Sequence, residues 1–158
     1  MPLCSGAMQP GFRMSIGADR GVVARVQATF AGFADTHALP AEVRRSMGVV
    51  LDELLANTLT YGFAEVGGKR VGGAVTIDVE LRRDRLTVTL TDDGRPFDPF
   101  GSEATAPDTT LSVEDRPIGG LGVHLVRELL DEVSYHRRGD RNVVTLVKRL
   151  TVESRTPG

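Results

Sequence analysis

The 158-residue chain is 41% hydrophobic and 25% charged, a globular composition at a length that fits one domain with short tails. Lys and Arg number 19 against 21 Asp and Glu, and a net charge of −2 offers neither a nucleic-acid footprint nor a polybasic membrane surface. The single cysteine, Cys4, excludes an internal disulfide; no apolar run approaches the ~20 residues of a membrane span, and no signal-peptide pattern opens the chain, so a soluble cytoplasmic α/β domain is expected.

Residues 1–10, with Pro2, Gly6 and Pro10, and residues 151–158 are expected as flexible tails around one domain at 11–150. Phe12, Met14 and Ile16 alternate with Arg13 and Ser15, which predicts a short strand. Val22, Val23, Val26, Phe30 and Phe33 recur at three-to-four spacing and predict a helix from Asp19 to about His37. Pro40 suits the start of a second helix, which carries Val43, Met47, Leu51, Leu54 and Leu55 inward and runs to about Tyr61 before Gly62. Four glycines between Gly67 and Gly73 read as a loop.

Val75, Ile77, Val79 and Leu81, then Leu86, Val88 and Leu90, alternate with polar residues around a turn at Arg82–Arg85, the pattern of an antiparallel hairpin. Residues 95–118 lack periodicity and contain Pro96, Pro99, Pro107 and Pro117, as expected of a functional lid. A third helix opens at Gly119–Gly122 with Leu121, Leu125, Val126, Leu129 and Leu130 facing inward. Strands at about Glu132–Arg137 and Asn142–Leu150 close the chain around Gly139-Asp140. The order predicts an α+β, two-layer α/β sandwich: a mixed sheet of about five strands with three main helices on one face.

Three groups of residues interrupt this scaffold with chemistry. Glu53 and Asn57, four apart on the second helix, share one face at a Cβ separation of about 5–6 Å. They read either as a hydrogen-bonded boundary pair or as a general base beside a carbonyl ligand for a hard cation such as Mg²⁺. Asp92-Asp93-Gly94, at a strand end, reads as a plain turn or as a carboxylate beside a backbone that a flat ligand approaches closely. Gly119-Gly120-Leu121-Gly122, at a helix N-terminus, either loosens a loop or presents free N–H groups to phosphates. Neither the P-loop nor a spaced dinucleotide fingerprint occurs.

In this order the phrases LDELLANTLTYGF, TDDGRPFDPF and GGLGVHLVRELLDEVSYHRRGDRNVVTLVKRL resemble the asparagine and glycine boxes of the GHKL (Bergerat-fold) ATPases. The resemblance is closer to the RsbW/SpoIIAB-like anti-sigma-factor serine kinases and covers roughly residues 12–150. It implies Glu53 as catalytic base, Asn57 as Mg²⁺ ligand and Asp92 as acceptor for the adenine amino group. Gly94 would admit adenine, residues 98–118 would form the lid, and the cluster of Gly119, Gly120, Leu121 and Gly122 would wrap the phosphates of ATP. Pro96 replaces the second glycine of the Asp-x-Gly-x-Gly box, as in this branch; Tyr61 stands where many relatives have His, and Asn142 where Thr is often found.

Three functions compete. The first is a Mg²⁺-ATP-dependent serine/threonine protein kinase that phosphorylates an anti-anti-sigma (STAS-domain) partner and sequesters a sigma factor, as a homodimer with no direct nucleic-acid or membrane partner. The second is an ATP-binding anti-sigma module with little or no phosphotransfer, against which the retained Glu53 speaks. The third, a detached histidine-kinase catalytic domain, is fitted poorly by Pro96. His124 reads as packed or half-exposed on the third helix and not as a phosphoacceptor, and His37 and His136 lack ligand-like partners at fixed spacing. Arg137, Arg138 and Arg141 read as a solvated tip, and Arg116 either reaches a γ-phosphate from the lid or is a mobile surface side chain.

Overall fold

Alternating apolar and polar residues build five strands, β1 (Gly11–Gly17), β4 (Ala74–Leu81), β5 (Arg85–Asp92), β6 (Glu132–Arg138) and β7 (Arg141–Arg149), into one sheet ordered β1-β4-β5-β7-β6. A separate pair of two-residue strands, β2 (Glu65–Val66) and β3 (Lys69–Arg70), forms here, with β3 inside the stretch Gly67–Gly73 that is expected to be loop and β2 just before it. The structure, a computed structural model, describes residues 9–17, 19, 21–63, 65–66, 69–70, 73–101 and 119–151, with backbone alone at 65–66, 69–70 and 119–123. Cys4, most of both expected tails, lid residues 102–118 and Arg116 lie outside the described residues.

Every neighbouring pair in the sheet is antiparallel, which corrects the expectation of a mixed sheet. The reason is the place of β7. Strands β5 and β6 run in the same direction, but β7 doubles back after a two-residue turn and inserts between them. Gly139 opens that turn with φ +59°, a left-handed conformation that glycine adopts without steric cost. At the other edge the chain leaves β1 at Gly17 and returns into β4 at Ala74, the residue paired with Gly17, so that pair is antiparallel too.

The register lines up side chains in rows across the sheet. Phe12, Val79, Val88, Leu146 and Val133 make one row, and Met14, Ile77, Leu90, Val144 and Tyr135 the next. Both rows belong to the face that forms the core. The same face ends in a third row, Ile16, Val75, Asp92, Asn142 and Arg137, where apolar residues give way to polar ones.

Helix α1 (Val22–Thr36) buries Val22, Val26, Phe30 and Ala34, one residue per turn, against that face. It begins three residues later than predicted, because the Asp19 carboxylate takes the Gly21 N–H (2.7 Å) and the Arg25 guanidinium (2.9 Å) ahead of the first turn. It ends in a Schellman motif: Leu39 N–H donates to Ala34 O (3.0 Å), Ala38 N–H to Asp35 O (3.2 Å), and Ala38 takes φ 50°. Arg44 reaches back to Ala34 O (2.9 Å), Leu39 O (2.8 Å) and the Asp35 carboxylate.

Helix α2 (Ala41–Asn57) contacts both other helices and is the core's backbone, with Met47, Val50 and Leu51 at 0% exposure. Helix α3 (Gly119–Leu129) buries Val126 and packs Leu129 against the core, but Leu125, expected inward, is 41% exposed. Five inward positions span more than one face; with Val126 and Leu130 centred on the core, Leu125 falls on the flank.

Candidate functional site

The last turn of α2 carries Leu54 and Leu55 into the core and brings Asn57 to the rim of a recess at 8% exposure. The helix does not stop there. It widens into a π-turn, Thr58–Gly62, closed by Phe63 N–H to Thr58 O (3.2 Å). The turn presents two carbonyls to the loop after β5: Gly62 O accepts from Arg95 N–H (3.0 Å) and Tyr61 O from Arg95 Nε (2.5 Å). The Tyr61 ring stacks on Phe97 with centroids 5.5 Å apart. A Cβ on Gly94 would lie 2.5 Å from Gly62 O and 2.9 Å from Asp92 Oδ1. Glycine at 94 is thus required by the protein's own π-turn, a reason the expected approach of a base did not include.

Asp92 ends β5 at the polar row of the sheet. Its Oδ1 accepts from Gly94 N–H and Asn142 Nδ2, both at 2.9 Å, while Oδ2 has no hydrogen-bond partner among the described residues. Burial pushes the Asp92 carboxyl above the usual range, against the pull of those two donors and of the Arg137 charge. Asp93 faces away and accepts from Gly73 N–H (2.8 Å) and Ala74 N–H (3.0 Å). Desolvation opposes its ionisation, but the two backbone donors outweigh it and hold its carboxyl below the usual range. The two adjacent carboxylates therefore part ways: Asp93 fastens the start of β4, and Asp92 lines the recess.

A small, partly open recess lies between the end of α2 and the polar row, with Asn57, Thr58, Leu90, Asp92, Phe97 and Asn142 among its walls. Apolar walls with a few convergent polar groups describe a small-molecule site. The Asn57 side chain makes no hydrogen bond among the described residues, and its amide reaches solvent at the rim although the residue as a whole is buried. Glu53, one turn earlier on the same face of α2, is half-buried and does not line the recess. Gly119, Gly120, Leu121 and Gly122 form the first turn of α3, as expected, with only their backbone described.

At the root of the expected lid, the Asp98 carboxylate accepts from Phe100 N–H (2.8 Å), and Arg127 of α3 donates to Phe100 O (3.1 Å) with its guanidinium 5.8 Å from the ring centroid.

The sequence reading missed the polar partners of Asp92. Asn142 is 2% exposed and is the hub of the site, and Arg137, expected at a solvated tip, donates to Gly94 O (2.9 Å) and Asn142 Oδ1 (3.1 Å). The period-two position of both residues on the core face was the available signal. His124, expected to be packed or half-exposed, is instead exposed and pairs with Glu128 at 3.1 Å.

Among curated proteins, the chain is 31% identical over 116 residues to the serine/threonine-protein kinase BtrW of Bordetella bronchiseptica, covering 72% of this chain and 76% of that one. It is 28% identical over 145 residues to the serine-protein kinase RsbW of Bacillus cereus, covering 89% and 88%. Among solved structures it is similar to the RsbU and RsbW domains of a Mycobacterium tuberculosis protein, with a TM-score of 0.62 at 13% identity over 89% of this chain; it spans 32% of that longer chain. The same fold is present in both. The model of the histidine kinase-like ATPase domain matches residues 16–148, and the chain belongs to that family.

Proposed function

We propose that residues 11–150 act as one ATP-binding domain of a serine/threonine protein kinase that also serves as an anti-sigma factor. The observation that carries this reading is the meeting, in one recess, of Asp92 and Asn57, whose Oδ2 and amide respectively have no hydrogen-bond partner among the described residues. Asp92 would accept the adenine amino group in a slot between Leu90 and Phe97. The Asn57 carbonyl is a hard donor of the kind Mg²⁺ takes alongside phosphate oxygens and waters, so the donor present fits the metal. Bound there, Mg²⁺ would neutralise charge on the phosphates.

Glu53 would take the proton of the acceptor serine or threonine hydroxyl as its oxygen bonds to the γ-phosphorus and ADP leaves. The N-terminal turn of α3, Gly119 to Gly122, would hold phosphates by its free N–H groups. The protein substrate would be a STAS-domain partner and the sequestered protein a sigma factor, both in the cytoplasm. The names of BtrW and RsbW as protein kinases support this reading. No helix among the described residues is long and apolar enough to cross a membrane. Homodimerisation is proposed through β1, which is an outer strand of the sheet, and light scattering checks it.

The test is transfer of labelled phosphate from ATP to a cognate STAS domain, run beside nucleotide titration. Glu53→Gln should keep ATP binding and lower transfer roughly 10²–10⁴-fold. Asn57→Ala should weaken both Mg²⁺-ATP binding and transfer. Equal, near-zero transfer by wild type and Glu53→Gln, with ATP and sigma factor still bound, would leave a binding module in place of a kinase.

A further inference from the structure

Asn142 has a saturated amide. Its Oδ1 accepts from Tyr135 Oη (2.7 Å), Arg137 Nη1 (3.1 Å) and Phe97 N–H (3.3 Å). Its Nδ2 donates to Asp92 Oδ1 (2.9 Å) and Arg95 O (2.8 Å). Three donors converge on one end and two acceptors on the other, so a flipped amide would oppose like groups at four of the five contacts, all but the Tyr135 hydroxyl. No atom of this amide is left to read a ligand, although the residue lines the recess.

Its effect is on Asp92. With Asn142 Nδ2 and Gly94 N–H both on Oδ1, the described residues hold the carboxylate by one oxygen and leave the other uncommitted. We propose that Asn142, locked by Tyr135 and Arg137, is a positioning residue that aims the Asp92 carboxylate at the 6-amino group of the bound purine. The proposal rests on the reading of the recess as an adenine site and names residues through which that site acquires its selectivity for the amino group.

The experiment compares the affinity of ATP with that of purine riboside triphosphate, which lacks only the 6-amino group. One hydrogen bond to a carboxylate gives wild type roughly a ten- to hundredfold preference for ATP. Asn142→Leu should remove most of that preference by weakening ATP alone, leaving purine riboside triphosphate affinity within about threefold, a split that a general loss of structure would not produce. Tyr135→Phe combined with Arg137→Met keeps Asn142 but frees its amide, and should lower the same ratio severalfold; this pair serves if Asn142→Leu does not fold. A ratio unchanged in the folded variants overturns the positioning role. Wild type that shows no preference for ATP overturns the adenine reading itself, so the two failures are distinct.

Discussion

Replacing Gly94 by alanine separates two reasons for a glycine at this position. If it only lets a flat base approach, the ligand-free protein should tolerate a methyl group. The geometry says otherwise: the new Cβ would sit 2.5 Å from Gly62 O and 2.9 Å from Gly62 C, backbone atoms that cannot rotate away. An ordinary C···O contact needs about 3.3 Å, so the π-turn and the loop after β5 must part by about 0.8 Å. Overpacking of that kind costs about 1–3 kcal/mol, and the Arg95 N–H to Gly62 O bond it stretches adds about 1 kcal/mol. Gly94 is not in the left-handed region, so backbone strain contributes nothing. Urea unfolding of the ligand-free variant should therefore show a loss of about 2–4 kcal/mol. Gly32→Ala is the control: its Cβ meets nothing within 4 Å in the middle of α1, and it should gain about 0.5–1 kcal/mol. A ligand-free Gly94→Ala protein with the wild-type midpoint would refute the reasoning.

Asp92→Asn should lose ATP affinity yet stabilise the ligand-free fold near neutral pH. Burial raises the Asp92 carboxyl, so its contribution to stability is complete below the unfolded value of about 3.9 and is lost as pH rises through the folded value. The variant's advantage should therefore appear only as pH climbs through that window; urea midpoints that keep a constant gap across it would contradict the assignment. Ala38→Gly should stabilise the end of α1 by about 0.5–1 kcal/mol, since Ala38 holds φ 50° where glycine is unstrained, less the added freedom of the unfolded chain. An equal or lower urea midpoint would refute that balance.

Most of the scaffold was legible because each element carries its own period. Val75 to Leu81 and Leu86 to Leu90 alternate strictly, and their hairpin forms in that register. Val22, Val26 and Phe30 mark α1 in the same way. What failed depended on partners. The mixed sheet was wrong because strand direction is decided by where β7 inserts, which no local pattern contains. The short β2–β3 pair was hidden by glycine-rich composition, which carries no alternating pattern to mark two-residue strands. Leu125 was assigned inward because five apolar positions fit a helix face loosely, and only the packing of Val126 settles which of them the core receives.

The site divides along the same line. Glu53 and Asn57 are visible as a pair because a helix brings residues four apart together, and Asp92 because a carboxylate beside glycine ends a strand. Asn142 and Arg137 become neighbours of Asp92 only through the register of three strands, with Asn142 50 residues away from Asp92 in sequence. Arg137 sits two residues from a hairpin turn, where composition argues for solvent; its alternation with Tyr135 and Val133 argues for the core face, and the structure follows the alternation. Residues that meet a ligand can be local in sequence because a loop or one helix turn suffices to present them. Residues that aim those groups must come from another strand, since one element seldom supplies hydrogen-bond partners to both ends of an amide. The polar row at the end of the core face is where such partners collect here. Apolar packing on the neighbouring rows fixes the spacing of β5, β7 and β6, so the 2.9 Å contact between Asn142 and Asp92 is held by Leu90, Val144 and Tyr135 beside it as much as by the two polar groups themselves.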